Sequence, residues 1–217
     1  MATIMRVGGG GSASLLPRGY TQLDYIESTG TQYINTRVAP VSEEFRIAID
    51  FEYTDRNNTS CLFGAQSSGE YSLVAYGPPQ FYVGDSIALL SKNISQNRRY
   101  TLDCYTSNGV LYTVWDGVPS STPYSGQIYK GGSLYLFANN NQGNAANHAY
   151  AKVYSCQIYD NGTLVRDFVP CTNATGAVGL YDVVNSKFYN NEGTGMFVDG
   201  ALIAEYAEAL RTLGVEV

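Results

Sequence analysis

Two Asn-Gly dipeptides, each placed between segments of alternating apolar and polar residues, constrain the fold of this chain most strongly. They are Asn108-Gly109 and Asn161-Gly162. A two-residue hairpin turn requires positive φ at both central residues, and Asn followed by Gly meets that requirement better than other pairs. The segments that these dipeptides join are residues 99–106 with 110–115, and residues 152–159 with 163–169. The sequence therefore predicts at least two antiparallel hairpins.

Further short segments of strand type fill most of the chain. Phe45 to Tyr53 alternates strictly, with apolar side chains at every second position, which is typical of a half-buried strand. Other candidate strands are residues 31–36, 61–65, 71–76, 80–83, 133–138, 179–182 and 187–189. The 19 tyrosines and 23 glycines also favour strands and turns over helices. We predict an all-β, two-sheet antiparallel jelly-roll sandwich over residues 20–199.

The N-terminal residues 1–19 have a different character. Ile4, Met5 and Val7 form a short apolar segment, and Gly8 to Gly11 follow at once. Four consecutive glycines hold no fixed backbone without a large entropic cost. We expect a flexible arm that docks to a partner protein through Ile4, Met5 and Val7.

The C-terminal residues 200–217 show helical rather than strand spacing. Ile203, Tyr206, Leu210 and Leu213 recur at intervals of three or four residues, and Gly214 follows. The pattern predicts a short amphipathic helix whose apolar stripe packs on the sandwich or on a neighbouring subunit.

Charge and composition exclude several classes of partner. The formal net charge is −6, and no cluster of Lys or Arg exceeds the pair Arg98 and Arg99. Phosphate backbones and anionic membranes are bound by clustered cations, so neither nucleic acid nor a membrane is an expected partner. No apolar stretch reaches the length of a signal-peptide core or a membrane span, and we expect synthesis in the cytoplasm without a signal peptide.

Metal-binding patterns are weak. Cys61, Cys104, Cys156 and Cys171 are widely spaced, and the sequence has a single histidine. Buried free thiols are favoured over disulfides and over a zinc site. Loop carboxylates that could bind calcium are Asp116, Asp160, Asp182 and Asp199. Turn chemistry is the favoured explanation for Asp116 and Asp160, so no metal or other cofactor is predicted.

Three blocks of sequence resemble the concanavalin A-like lectin/glucanase superfamily, in its laminin-G-like branch as found in phages and prophages. The blocks are residues 20–34 (YTQLDYIESTGTQYI), 114–118 (VWDGV) and 160–171 (DNGTLVRDFVPC). The glycine-rich leader is similar to the openings of phage tail and fibre proteins. The resemblance implies a jelly roll displayed on a virion surface or tail, which either engages surface glycans or serves as a structural ornament.

The catalytic pattern of the glycosidases in this superfamily is missing. The resemblance implies that such enzymes carry a catalytic strand with the pattern E-x-D-x-x-E. The most similar segment in this sequence is Asp50-Phe51-Glu52, followed by Asp55, and it differs from that pattern in spacing and in residue types. Two-carboxylate hydrolysis needs both side chains on one face at a set separation. We therefore predict that the protein is not an enzyme, and a glycoside-active enzyme with another carboxylate pair is the alternative.

The strongest candidate for ligand binding is an asparagine-rich segment that follows an apolar strand. Its candidate residues are Asn139, Asn140, Asn141, Asn144, Asn147 and His148. Amides both donate and accept hydrogen bonds, so clustered Asn beside aromatic rings can bind sugar hydroxyls. The alternative is that Asn and Gly simply form a loop.

A second candidate comprises Tyr76, Phe81 and Tyr82, around Pro78 and Pro79. Aromatic side chains in a rigid turn suit recognition, although aromatic residues on strands also belong to cores.

Taken together, these features predict a non-catalytic phage virion or tail-associated protein, held by its arm to other virion or tail subunits. The sandwich would present a lectin-like domain to host or mucosal glycans. Several copies, or a homo-oligomer, would raise weak glycan affinity by avidity. A purely structural decoration protein without a ligand is a further alternative.

Overall fold

The computed structural model describes residues 16–40, 42–55, 60–67, 70–76, 80–84, 86–89, 94–125, 128, 132–202 and 211–212. The strands in chain order are β1 (Thr21–Gln22), β2 (Ile26–Thr29), β3 (Ile34–Asn35), β4 (Phe45–Asp55), β5 (Cys61–Ser67), β6 (Glu70–Tyr76), β7 (Gln80–Gly84), β8 (Ser86–Leu89), β9 (Arg99–Ser107), β10 (Val110–Trp115), β11 (Val118–Pro123), β12 (Tyr135–Leu136), β13 (Asn139–Asn141), β14 (Asn144–Ala146), β15 (Tyr150–Asp160), β16 (Thr163–Thr172), β17 (Val178–Asp182), β18 (Lys187–Asn190) and β19 (Val198–Asp199).

These strands form two sheets, which confirms the predicted all-β sandwich. The large sheet has the strand order β11-β10-β9-β4-β15-β16-β17-β18, with β1 paired to β16 and with β2 between β15 and β19. The small sheet has the order β14-β13-β5-β6-β7-β8, with β12 joined to β3 and β5. The described strands pair antiparallel except β13 with β5, and the isolated bridge between Cys61 and His148 is also parallel. No helix long and apolar enough to span a membrane occurs among the described residues.

The two predicted hairpins are confirmed. Asn108 and Gly109 have φ values of 49° and 72° between β9 and β10. Asn161 and Gly162 have φ values of 48° and 73° between β15 and β16. Positive φ at both central residues matches the right-handed twist of the flanking strands.

The core lies between the sheets and is built from the inward positions of the alternating strands. In β4 these positions are Phe45, Ile47, Ile49, Phe51 and Tyr53, all of them buried. Trp115 meets Phe51 edge to face, with ring centroids 5.8 Å apart. Edge-to-face aromatic pairs add specificity to the apolar burial that stabilises the sandwich.

Residues 30–33, inside the motif that carries the family resemblance, connect β2 to β3 by a bend and are not part of a strand. The side-chain oxygen of Gln32 accepts a hydrogen bond from the Thr29 backbone at 2.8 Å, and its amide donates to the Met196 carbonyl at 3.0 Å. Gly30 has a φ of 94°, and the Tyr150 ring occupies the space that a side chain there would need. Through the Gln32 side chain, the motif therefore connects the end of β2 to the segment that precedes β19. The strand predicted over 31–36 is correspondingly limited to β3.

Arg166 of the second motif, residues 160–171, makes an ionic contact with the buried Asp182 of β17. The Asp182 side chain is fully buried, and its carboxylate accepts hydrogen bonds from the backbone of Asp167 at 3.0 Å and of Val184 at 3.1 Å. The Arg166 Nε lies 3.6 Å from the same carboxylate. Buried charge is tolerated when it is paired and hydrogen-bonded in this way.

The residues just before β1 pack on the outside of the large sheet. Leu16 is 9% exposed and lies in a small apolar cluster with Val169, Cys171 and Tyr181. Leu16, which the sequence pattern assigned to the arm, thus packs on the sandwich, whereas Pro17, Arg18 and Gly19 are exposed.

The predicted docking elements fall largely outside the described residues. Ile4, Met5 and Val7 of the arm, and Ile203, Tyr206, Leu210 and Leu213 of the C-terminal stripe, all lie there. Arg211 and Thr212 are helical.

The four cysteines are buried free thiols, as predicted. Burial raises the pKa of each thiol, and it raises the pKa of Cys171 to about 12. Thiolates are the reactive form of cysteine, so these side chains act as small apolar core residues.

Candidate functional site

The asparagine-rich segment is a hairpin at the edge of the small sheet. Asn139 to Asn141 form β13 and pair with β14, and Gln142 and Gly143 make the turn with φ values of 54° and 89°. The predicted loop is therefore an ordered edge hairpin. β13 also runs parallel to β5, which fixes the hairpin to the rest of the sheet.

Asn139 and Asn140 support this hairpin from inside. They are 1% and 2% exposed. The Asn139 amide donates to Gln66 Oε1 at 2.8 Å, and the Asn140 amide donates to the Ser133 carbonyl at 2.7 Å. The Asn140 side-chain oxygen accepts from the Gly143 backbone at 2.7 Å. Because the protein itself uses these amides, the structure corrects the prediction that Asn139 and Asn140 contact a ligand.

The remaining polar residues of the segment lie at the surface. Asn141, Asn144 and Asn147 are exposed, and His148 is half-buried. Asn147 has a φ of 55°, and its carbonyl accepts a hydrogen bond from the Cys61 backbone at 2.8 Å. These two features fix the backbone at Asn147, and ligand binding by these four residues stays a prediction.

Aromatic rings from other elements adjoin the hairpin. Tyr33 stacks on Tyr135, with ring centroids 4.7 Å apart and planes inclined by 25°. His148 lies edge-on to Tyr33, at 6.0 Å between centroids. The Tyr135 hydroxyl donates to the Gly143 carbonyl at 3.3 Å, which ties the ring pair to the hairpin turn.

A surface ion pair borders the same rings. The Arg37 guanidinium lies 2.7 Å from a Glu192 carboxylate oxygen, and the Glu192 backbone donates to the Tyr33 carbonyl at 3.0 Å. Arg37 has a φ of 59°, held by a hydrogen bond from its backbone to Asn35 Oδ1 at 3.0 Å. A bulky residue with positive φ is uncommon and is often found at functional sites.

We name this group the rim site. It consists of Tyr33, Arg37, Tyr135, Asn144, Asn147, His148 and Glu192. Burial lowers the pKa of His148, so its imidazole is neutral at pH 7. Burial, and next the charge of Glu192, raise the pKa of Tyr33, which keeps its hydroxyl protonated. The site thus offers a ring face, neutral donors and acceptors, and one compensated ion pair.

The sequence pattern indicated three of the seven residues of the rim site. Asn144, Asn147 and His148 came from the composition of one segment, whereas Tyr33 lies inside the family motif and Glu192 lies near the end of the sandwich. The regular alternation of apolar residues carries no information about such contacts between distant elements.

The second candidate surface is corrected in part. Phe81 is 1% exposed, and its ring packs against Phe63 in the core at 6.4 Å between centroids. It therefore does not bind a ligand at the surface. Tyr82 is half-buried, and its hydroxyl donates to Gln80 Oε1 at 3.3 Å. The Tyr76 side chain and residues 77–79 lie outside the described part of the chain.

The carboxylates closest to a glycosidase pattern are used in ion pairs. Asp50 accepts two hydrogen bonds from Arg99 at 2.8 Å, and Glu52 binds Lys152 at 2.9 Å. Asp116, considered for calcium, caps the Thr101 backbone at 3.0 Å and pairs with Arg98 at 3.1 Å. Within the described ranges, no group of three or more His, Cys, Asp or Glu side chains is arranged to hold a metal.

No protein-family model and no curated protein match the sequence. The fold is similar to that of a proposed carbohydrate-binding protein from Bacteroides ovatus, with a TM-score of 0.58 and 10% identity over 84% of this chain and 61% of that one. The chain thus spans about three fifths of that protein's length. It is also similar to a heptameric SAP-like pentraxin from Limulus polyphemus, with a TM-score of 0.52 and 10% identity over 84% and 94% of the two chains. These likenesses and the two-sheet topology show that the chain has the concanavalin A-like jelly-roll fold.

Proposed function

We propose that this protein is a non-catalytic glycan-binding protein and that the rim site binds the sugar. The observation that carries the proposal is the half-buried Tyr33 ring, which stacks on Tyr135 and lies edge-on to His148, the neighbour in sequence of the exposed Asn147. The Tyr135 hydroxyl donates to the carbonyl of Gly143, which precedes the exposed Asn144. The likeness of the fold to a proposed carbohydrate-binding protein supports it further.

The chemistry of a sugar fits this group of residues. A pyranose has an apolar C–H face and a rim of hydroxyls, so it needs an aromatic surface together with groups that both donate and accept hydrogen bonds. The exposed Asn144 and Asn147 carry such amides, and the Arg37–Glu192 pair supplies charged groups. The orientation of Tyr33 is already fixed by Tyr135, so little side-chain entropy is lost on binding.

A screen on a glycan array tests the proposal. The wild-type protein should bind at least one glycan class, and Tyr33→Ala should abolish that binding. Asn147→Gly should weaken it, because glycine keeps the positive φ of 55° while removing the amide. Failure of the wild-type protein to bind any glycan would contradict the proposal.

A matched control separates loss of the ligand from loss of the fold. Asn108 is also an exposed asparagine with positive φ, at 49°, in the β9–β10 turn away from the rim site. Asn108→Gly should bind like the wild-type protein. Analysis of bound oligosaccharides for cleavage products tests the non-catalytic part, because release of shortened products would assign an enzymatic activity instead.

We further propose that the protein is displayed on a phage virion surface or tail and is held there by residues 1–15. The four glycines before Leu16 and the packing of Leu16 on the sandwich support this proposal, because they separate a tethered segment from the folded unit. A protein inventory of purified virions, combined with imaging, should find several copies at one surface. Its absence from virions would contradict this placement and leave glycan binding to be judged by the array.

A further inference from the structure

The last strand of the sandwich, β19, is a free edge of the large sheet. Val198 and Asp199 pair with β2 on one side, and no described strand pairs with the other side of β19. Met196 is 84% exposed and Val198 is 44% exposed. We name Met196, Phe197, Val198 and Asp199 the β19 edge. An edge strand with exposed apolar side chains is suited to pairing with another strand.

The free side of this edge has backbone groups to offer. The Met196 carbonyl accepts a hydrogen bond from the Gln32 side chain at 3.0 Å, and the Gly200 amide donates to the backbone carbonyl just before β2 at 2.9 Å. Both bonds lie on the side of β2. Because successive residues of a strand direct their backbone groups to opposite sides, Phe197 and Asp199 direct their N–H and C=O groups to the free side. An added strand can form hydrogen bonds with both residues.

Two other edges lack this combination. Asp116-Gly117 has φ values of 46° and 77° and forms a two-residue hairpin turn between β10 and β11. The closing pair of such a turn is hydrogen-bonded, so the backbones of Pro119 and Pro123 face the outer side of β11, where proline has no N–H to donate. β18 begins and ends with the exposed polar residues Lys187 and Asn190. Among the edges whose side chains the structure describes, the β19 edge alone carries two large exposed apolar residues.

The arm of this chain has a segment that matches the edge. Residues 3–7 have the sequence Thr-Ile-Met-Arg-Val. Met5 and Val7 are two positions apart, as Met196 and Val198 are, and alternate side chains of a strand share a face. In an added strand, Met5 and Val7 therefore cover the exposed apolar area of Met196 and Val198. Burial of this area favours the pairing.

Charge favours the same pairing. Arg6 falls on the opposite face of the segment from Met5 and Val7, and it is the single charged side chain of residues 3–7. In β19 this is the face of Asp199, which is exposed and forms no ion pair with another described residue. The segment therefore brings a positive charge to an exposed carboxylate.

The tether is long enough for this pairing within one chain. Leu16 packs in one cluster with Cys171, the residue before Leu23 pairs with Cys171, and Leu23 bridges Leu202. Leu202 thus lies two strand spacings, about 10 Å, from the Leu16 anchor. β19 lies earlier in the same edge segment, about 10 Å further. Residues 8–15 span up to about 26 Å, which exceeds the sum of these distances.

We propose that residues 3–7 of the arm add as a strand to the β19 edge of their own chain. This inference goes beyond the proposed function, because it gives the arm a binding surface on the sandwich itself. Docking to a virion partner would then require the arm to leave the β19 edge, so the pairing holds the arm back from premature assembly. So short a strand undocks locally, below the temperature at which the sandwich unfolds, and it adds little to the Tm.

Photo-crosslinking in the full-length protein tests the proposal. Benzoylphenylalanine in place of Met5 is irradiated in an equal mixture of isotope-labelled and unlabelled chains, and mass spectrometry identifies the crosslinked peptides. We expect crosslinks to the β19 edge that join light to light and heavy to heavy peptides only. Crosslinks elsewhere on the sandwich, or none, would overturn the proposal. Mixed crosslinks would show that the arm binds a second copy and would overturn the assignment to its own chain.

Charge reversal tests the contact of Arg6 with Asp199. Asp199→Lys should reduce the yield of crosslinks to the β19 edge, and Arg6→Glu in the same chain should restore it. Asp199 is exposed, so its replacement leaves the core undisturbed. An unchanged yield, or a reduction that Arg6→Glu does not reverse, would count against the pairing.

A matched pair of valine variants tests the apolar contact. Val198→Asp places a charge against Met5 and Val7 and should abolish the crosslinks to the β19 edge. Val118→Asp is the control, because Val118 is also an exposed valine on an edge strand, and it should crosslink like the wild-type protein. Equal yields from the two variants would contradict the proposal.

Hydrogen exchange gives a readout that needs no substitution in the sandwich. The Phe197 and Asp199 amides should exchange several-fold faster in Met5→Asp than in the wild-type protein, because the added strand is lost. Equal exchange rates would refute the pairing. None of these measurements involves a glycan or a virion, so they leave the proposed function to its own tests.

Discussion

Gln32 offers the sharpest test of how the family motif stabilises the sandwich. It is 2% exposed, and its side chain joins the turn after β2 to the segment before β19 through Thr29 and Met196. Gln32→Ala would leave the Thr29 amide without its acceptor and the Met196 carbonyl without its donor. Both of these bonds are part-buried, and the Ser28 hydroxyl also loses a buried bond to Gln32 Oε1 at 3.2 Å. At about 1 kcal/mol for each of the three bonds, we expect a loss of about 3 kcal/mol in the free energy of unfolding.

Thermal melting followed by circular dichroism measures this effect. For a domain of this size, a loss of about 3 kcal/mol corresponds to a fall in Tm of about 6–12 °C. Gln96→Ala is the matched control, because the Gln96 amide makes one exposed hydrogen bond to Asp55 at 2.9 Å. A Gln32→Ala protein that melts with the control would refute the structural role assigned to the motif.

Four further predictions follow from the same contacts. Asp182→Ala should cost about 3–5 kcal/mol in urea unfolding, because it leaves Arg166 without its buried partner, while Asp199→Ala at an exposed site should cost little. The buried thiols should resist a thiol reagent in the native protein and all four should react after denaturation, so rapid native labelling would contradict their placement. Because the pKa of His148 is lowered in the fold, its stabilising contribution is complete above about pH 6.5 and is lost as the pH falls below that value. The Tm of wild type should therefore fall more steeply than that of His148→Gln between about pH 7 and about pH 5, and parallel curves would contradict the shift. Deletion of residues 1–15 should leave the Tm nearly unchanged, whereas deletion through residue 19 should lower it, because Leu16 is packed.

The parts of the fold that local sequence determines were predictable. The Asn-Gly turns require positive φ, and the alternation in β4 places its apolar residues on one face, so hairpins, strands and sandwich class followed from neighbouring residues. Alternation does not tell which face of a strand is buried when both carry aromatic residues. Phe81 and Tyr82 are adjacent on β7, and only packing against Phe63 decides that Phe81 is the inward one.

Features that depend on distant partners were not predictable. Asn139 and Asn140 belong to a strand because their side-chain amides donate hydrogen bonds to Gln66 and to the Ser133 carbonyl. These hydrogen bonds outweigh the usual preference of Asn for loops. Leu16 is buried because β16 and β17 provide an apolar surface outside the main core. Likewise, the rim site joins Tyr33, His148 and Glu192 only through the sheet topology.

A crystal structure of the protein with the tightest-binding array glycan tests the central claim most directly. We predict a sugar ring stacked on Tyr33, with its hydroxyls within hydrogen-bonding distance of the Asn144 and Asn147 side chains. A glycan bound away from the rim site, with Tyr33 and both amides still in contact with water, would contradict the account.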